Sequence, residues 1–302
     1  MVPFIYSDQY VVDIGEHVFP VEKYRLVRDR LKECYKEIKF LEPSLPTDEE
    51  LLLVHTPAYL EDLKSLLWTG GTLRSELPLT REIVNAYLLG AGGTILTCRM
   101  ALDNSIACHI GGGFHHAFPE HAEGFCYIND VAMGIRKMQK EERIQKAAVI
   151  DCDLHQGNGT ARIFSEDPTV FTFSIHQENL YPIKEKSDLD IGLPDYTGDE
   201  EYLTHLQKHV PTILDNHLPD LVVYVSGADP YQEDQLGSLR LTIEGLKSRD
   251  EFILKECRKR GIPTAITLAG GYALDTRDTV EIHLNTCRVA IMMEDCNTQI
   301  SK

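Results

Sequence analysis

No two of the eight cysteines, at 34, 98, 108, 126, 152, 257, 287 and 296, stand in a C-x-x-C pair. That removes the usual signature of a zinc ribbon or a dithiol redox site. Several lie inside apolar runs, Cys108 and Cys152 among them, where a thiol behaves as a small hydrophobe in a reducing compartment. No apolar run approaches ~18 uninterrupted residues, so no membrane span is expected. The opening MVPFIYSDQY has no basic patch leading into an apolar stretch, so no signal peptide is expected and the cytoplasm is the expected location. Basic residues are scarce: 30 Lys and Arg face 47 Asp and Glu, for a net charge of −17. That balance disfavours nonspecific binding to nucleic acid or anionic membrane. It suits a cationic partner, a Lys-rich peptide or a polyamine, although solubility alone also accounts for an acidic surface. Internal repeats, low-complexity tracts and Pro/Ser linkers are absent too.

What is present is alternation. Short apolar runs at 105–112, 147–153, 169–176, 221–228 and 263–271 read as strands, and most are apolar throughout, as in a parallel sheet covered on both faces. Between them, 21–38, 80–102, 129–142, 199–218 and 242–261 read as helices, with Thr80 and Glu82 marking one start and Gly261 one end. The pattern predicts an α/β fold of βαβ units, with residues 1–302 forming a single domain.

In such sheets ligands bind beyond the C-terminal ends of the strands. Four runs deliver polar residues there: His115 and His116 after 105–112, Asp151, Asp153 and His155 at the end of 147–153, Asp229 after 221–228, and Tyr272 after 263–271. If the extended geometry persists, Asp151, Asp153 and His155 share one face. Two carboxylates and an imidazole emerging from an apolar strand need a shared cation or a hydrogen-bond network to offset desolvation. Oxygen and nitrogen donors without thiolate suit Zn²⁺, with Fe²⁺ or Mn²⁺ as alternatives. Three protein ligands leave a position open, as in a catalytic site. For the D-x-D-x-H stretch alone, capping and hydrogen bonding compete evenly with metal binding; Asp229 and the His pair tip the balance. The pair after the glycines of GGGFHH suggests proton chemistry. A Tyr at a strand end can donate to a developing oxyanion.

The motifs GGGFHHA, GFCYINDVA, DCDLHQGNGT, SGADP and LAGGY, in this order over roughly residues 50 to 275, resemble the histone deacetylase family of zinc amidohydrolases. VHTPAYL at 54–60 fits as well, while QGNGT, NLYP and DQLGSLRLT resemble the class IV type and its bacterial relatives. The resemblance implies an arginase/deacetylase-like fold with a parallel sheet of about eight strands. It implies Zn²⁺ on Asp153, His155 and Asp229, and a catalytic pair His115 and His116 with Asp151 and Asn158 as their partners. Tyr272 would polarise the scissile carbonyl. Gly124, Phe125, Tyr181 and Leu236 would wall the acyl-lysine tunnel. A structural monovalent cation, usually K⁺, would sit on Asp151, Asp153, His155, Ser174 and Ile175.

Neutral Asn158 leaves His116 as general base, while anionic Asp151 favours the charged form of His115. Several family members carry Asp where Asn158 stands. The acidic residue that grips the substrate is open, with Glu76 as a candidate. The activity implied is removal of an acetyl, lactyl or longer fatty acyl group from lysine in a peptide or protein, or deacetylation of a polyamine. Two readings from other classes compete. One is a two-metal guanidine hydrolase, against which the His pair and Tyr272 argue. The other is a non-enzymatic acyl-lysine binder, which needs no general base.

Overall fold

The computed structural model describes residues 2–300, with side chains as far as residue 294. Eight strands form one parallel sheet: β1 (Phe4–Ile5), β2 (Phe40–Leu41), β3 (Ile106–His109), β4 (Ala147–Asp151), β5 (Val170–Gln177), β6 (Leu189–Leu193), β7 (Leu221–Val225) and β8 (Thr264–Thr267). Their spatial order is β2-β1-β3-β8-β7-β4-β5-β6. Every residue of β3, β4, β7 and β8 is buried. Helices cover both faces of these central strands, which is why the runs are apolar without alternation.

The helices are α1 (Lys23–Cys34), α2 (Asp48–Leu51), α3 (Pro57–Lys64), α4 (Arg81–Asn104), α5 (Asp130–Lys140), α6 (Asn158–Phe164), α7 (Asp199–His217), α8 (Ile243–Lys259) and α9 (Thr276–Ile300). Several starts are chemically marked: Thr80 Oγ1 accepts from Ile83 N, Asn129 Oδ1 from Ala132 N and Thr242 Oγ1 from Gly245 N. Such caps each contribute about 1 kcal/mol. Helix α4 lies close against the sheet at Gly93, where a Cβ would come within 2.6 Å of the His109 ring.

The five expected strands correspond to β3, β4, β5, β7 and β8, and the five expected helices to α1, α4, α5, α7 and α8. Four of the strands stop early, at His109, Asp151, Val225 and Thr267, where the chain leaves the regular ladder for the loops that carry the polar residues. Two-residue β1 and β2 carry no periodicity, and the four-residue α2 and seven-residue α6 are too short to show one. Strand β6, LDIGL, is interrupted by Asp and Gly, α3 is an eight-residue helix opening on Pro57, and α9 mixes Thr and charged residues into the face that packs on α1 and α8. Among the described residues no helix is long and apolar enough to cross a membrane. Six cysteines, at 98, 108, 126, 152, 257 and 287, are buried free thiols, Cys34 is exposed, and the side chain of Cys296 lies outside the described residues.

Candidate active site

Strand β4 ends at Asp151, so the extended geometry that would align Asp151, Asp153 and His155 does not persist. The reason is local. Past Cys152, whose N still donates to Val225 O, the amides leave the ladder for carboxylates: Asp153 N donates to Asp151 Oδ1 (3.1 Å), Leu154 N to Asp229 Oδ1 (2.9 Å) and His155 N to Asp153 Oδ1 (3.1 Å). Gly270 N, beyond β8, donates to Asp153 Oδ2 at 3.0 Å. Three strand ends are thereby tied through two side chains.

The ties aim the remaining donor atoms at one point. His155 Nδ1 lies 3.3 Å from Asp153 Oδ1 and 3.2 Å from Asp229 Oδ2. Asp153, His155 and Asp229 are all buried, with one donor atom of each within 4.8 Å of the others. Asp229 Oδ2 is buried and accepts no hydrogen bond despite its nearness to His155. A Cβ at Gly227 or Gly270 would collide with the carboxylates of both aspartates, so glycine there keeps the space open. An orphaned anionic oxygen, two carboxylates, one imidazole and a glycine cradle fit a divalent cation of the zinc type. With no cation, a proton serves instead. Burial opposes charging His155, but the two carboxylates outweigh it and raise its pKa to about 10. Burial and the Asp153 charge raise Asp229 to about 6.

Beside this trio stand the two histidines of GGGFHH, their ring centroids 4.1 Å apart. His115 Nδ1 pairs with Asp151 Oδ2 at 2.7 Å, and its Nε2 lies 3.7 Å from Asp153 Oδ1. Burial works against its charge, yet Asp151 and Asp153 raise its pKa to about 9. His116 Nδ1 meets Asn158 Oδ1 at 2.8 Å, and burial followed by the positive neighbours His115 and His155 pushes its pKa well below the usual value. One imidazole is held cationic and its neighbour neutral. The loop bearing them is fixed from behind. Asp130 accepts from Gly113 N (2.9 Å) and Phe114 N (2.6 Å), and Asn129 Nδ2 donates to Ala117 O (3.0 Å).

A cavity leads from the surface to this point. Its outer part is lined by Gly124, Phe125, Tyr181 and Leu236, with Glu76 at the mouth and His116, His155 and Tyr272 at its inner end. It continues past His115 and Asp153 to Phe19 and Tyr24. The sequence-predicted residues are thus brought together. Asp151 and Ser174 lie side by side as paired residues of β4 and β5, and Ile175 follows, also buried.

Sequence reasoning missed four groups. Lys23, fully buried, donates to Ala269 O at 2.7 Å, and burial lowers its pKa to about 8. Asp234 accepts from Leu236 N (2.9 Å) and from Tyr272 N (2.7 Å). Glu123 accepts from Asn158 Nδ2 at 2.7 Å. Asn129 and Asp130, inside the quoted GFCYIND, fasten the His loop. An unpaired carboxylate within a motif otherwise apolar is the one local signal that could have marked Glu123 and Asp130; Lys23 has none.

A family model for the histone deacetylase domain matches residues 17–287. The chain is 41% identical over 286 residues to an uncharacterized protein of Picosynechococcus sp., covering 93% of this chain and 95% of that one. It is 30% identical over 289 residues to histone deacetylase 2 of Arabidopsis thaliana, covering 90% and 74% of the two chains. Among solved structures, the HD domain of HDA15 superposes with a TM-score of 0.78 over 96% of this chain and 91% of that one, at 21% identity, a likeness of fold.

Proposed function

The chain belongs to the histone deacetylase family, and on that premise we propose that it is a zinc-dependent amidohydrolase releasing an acyl group from the ε-amine of lysine. The observation that carries this reading is the convergence, at the inner end of one cavity, of the Asp153–His155–Asp229 trio, two histidines with opposite partners, and Tyr272. Residues 1–302 form one catalytic unit in this reading, of which residues 1, 301 and 302 lie outside the described part.

Asp153, His155 and Asp229 hold the metal, which when bound supplies Lewis acidity at the amide oxygen and lowers the pKa of a water. The chain's own groups do the rest. Gly124, Phe125, Tyr181 and Leu236 enclose the acyl-lysine and exclude bulk water. His116, neutral and with Nδ1 occupied by Asn158, offers Nε2 to take the proton of the attacking water. His115, kept cationic by Asp151, stabilises negative charge as it develops. Tyr272 donates to the tetrahedral oxyanion. The amide C–N bond breaks, a proton passes to the leaving amine, and the products are a carboxylate and free lysine. A monovalent cation such as K⁺ on Asp151, Asp153, His155, Ser174 and Ile175 belongs to the same reading: β4 and β5 set Asp151 against Ser174, and the ion would offset the charge burial at Asp151. A two-metal guanidine hydrolase finds less support, because the described residues offer one trio of ligands.

Turnover of a single lysine peptide carrying acetyl, lactyl, octanoyl or myristoyl groups, with and without a zinc-chelating hydroxamate, tests the proposal. Hydroxamate-sensitive release of one acyl type is expected. Release only from acetylated polyamines would move the substrate class. No release from any of these at one zinc per chain would leave a binder of acyl-lysine.

A further inference from the structure

Beyond Asn158 the His116 side chain has a second partner, and it is an anion. Asn158 Oδ1 faces His116 Nδ1 at 2.8 Å, and Asn158 Nδ2 donates to Glu123 Oε1 at 2.7 Å. Asn158 is 1% exposed and His116 5% exposed, so neither exchanges these partners for water. The other oxygen of Glu123 looks toward positive charge: Oε2 lies 3.8 Å from Arg74 Nη1 and 3.3 Å from His121 Nε2, the ring nitrogen that accepts from Arg74 Nη1 at 3.1 Å. Glu123 itself is anchored, since it exchanges main-chain hydrogen bonds with Cys126 (3.0 and 2.9 Å) around Gly124 and Phe125 of the cavity wall.

An asparagine amide can face a histidine either way round. Its oxygen asks for an N–H, and its NH₂ asks for a lone pair. A carboxylate removes that freedom because it only accepts. With Glu123 on the far side, Asn158 must turn its NH₂ outward and its oxygen inward, so His116 Nδ1 must carry the proton and Nε2 keeps its lone pair. We infer that Glu123 is a positioning residue that acts through Asn158 to set the tautomer of His116, leaving Nε2 free as a base. The inference rests on the proposed role of His116. It adds that a neutral asparagine here orients the base as a carboxylate would, without placing a second charge against the imidazole.

The relay makes the two amide positions interdependent, which a merely structural role does not. In Glu123→Gln the new amide oxygen is drawn to the Arg74 guanidinium. Its NH₂ then faces Asn158, which must rotate and present its own NH₂ to His116 Nδ1. In Asn158→Asp alone two carboxylates face one another across the former hydrogen bond. In the double variant E123Q/N158D the glutamine NH₂ donates to one oxygen of the carboxylate introduced at position 158. The other oxygen of that carboxylate accepts from His116 Nδ1–H, and the relay is rebuilt.

The test uses the full zinc-loaded chain with ¹⁵N-labelled histidine. Long-range ¹H–¹⁵N correlations read the His116 tautomer, assigned by its loss in His116→Gln, alongside turnover of an acylated lysine peptide. Wild type is expected to show Nδ1–H, E123Q to show Nε2–H, and the double variant to show Nδ1–H again. Turnover number is expected to fall on the order of tenfold or more in each single variant with KM within about twofold, and to return to within about threefold of wild type in the double. Retention of Nδ1–H in E123Q, or a double variant no better than the worse single one, would overturn the relay. A wild-type chain that hydrolyses no acyl-lysine would defeat the deacylase reading, while the tautomer measurement would still decide the relay on its own.

Discussion

Asp229 carries the sharpest consequence at the scale of single residues, because its Oδ2 is buried beside Asp153 with no hydrogen bond of its own. Until a metal ion arrives, that oxygen has only the protonated His155, 3.2 Å away, to offset its charge. Burial and Asp153 raise its pKa to about 6, so at neutral pH the metal-free protein holds a carboxylate that its surroundings resist. Asp229→Asn removes that charge and keeps the shape. The metal-free variant is therefore expected to melt at or above the temperature of metal-free wild type. Zinc content should fall from one per chain to a small fraction, and the rise in melting temperature on adding zinc should disappear. A metal-free variant clearly less stable than wild type would refute the argument. Tyr272 makes a complementary case. In the proposed mechanism its hydroxyl serves the reacting carbonyl and not the trio, so Tyr272→Phe is expected to cut the turnover number about 100-fold or more with zinc content unchanged; losing one oxyanion donor costs ~3–4 kcal/mol in comparable sites. Turnover within about twofold of wild type would remove Tyr272 from the mechanism.

At the scale of elements, the segment from His55 to the His loop governs behaviour in acid. His55, fully buried, lies with Nδ1 3.0 Å from Phe118 O and accepts from Asn129 N at Nε2 (3.1 Å), so it is neutral; burial lowers its pKa to about 4. The unfolded chain takes up this proton near pH ~6.5, the folded chain only near 4. Stability from this group is therefore complete above about pH 6.5 and is lost as pH falls toward 4, by about 3 kcal/mol at most. His55→Gln, which cannot titrate, is expected to be less stable at about pH 8 yet to lose less between there and about pH 4.5 in urea unfolding. Equal acid slopes for the two proteins would show that His55 does not carry the effect.

The same segment marks where sequence reasoning reaches its limit. The central strands were legible because β4, β7 and β8 are buried on both faces and so run apolar without a break. The polar residues at their tips stood out as exceptions to that run, which is how Asp151, Asp153, His155, Asp229 and Tyr272 could be singled out from the sequence alone. Partners contributed from afar were not. Glu123 reaches Asn158 across 35 residues and Lys23 reaches Ala269 across 246, and neither has a neighbour in sequence that betrays its direction. Strands β1 and β2, two residues each, owe their existence to pairing at the sheet's end and not to any pattern of their own.

At the scale of the whole molecule the excess of 17 negative charges acts as a field, since it is spread over a surface on which Glu76 stands exposed at the cavity mouth. A field of this kind raises the local concentration of cations and quickens their capture, but it does not alter chemistry deep in a cavity that bulk ions do not enter. Screening shortens its reach to ~10 Å at 0.1 M salt and ~8 Å at 0.15 M. A cationic acyl-lysine peptide, with two or three lysines flanking the modified one, is therefore expected to lose kcat/KM severalfold as ionic strength rises from about 0.02 M to 0.2 M, with kcat nearly constant. The same acyl-lysine in a neutral peptide should show almost no salt dependence. Glu76→Gln should flatten the response of the cationic peptide if the mouth, and not only the overall charge, steers it. Parallel salt curves for the charged and neutral peptides would mean that the acidic surface serves solubility alone, and that recognition lies wholly within the tunnel formed by Phe125, Tyr181 and Leu236.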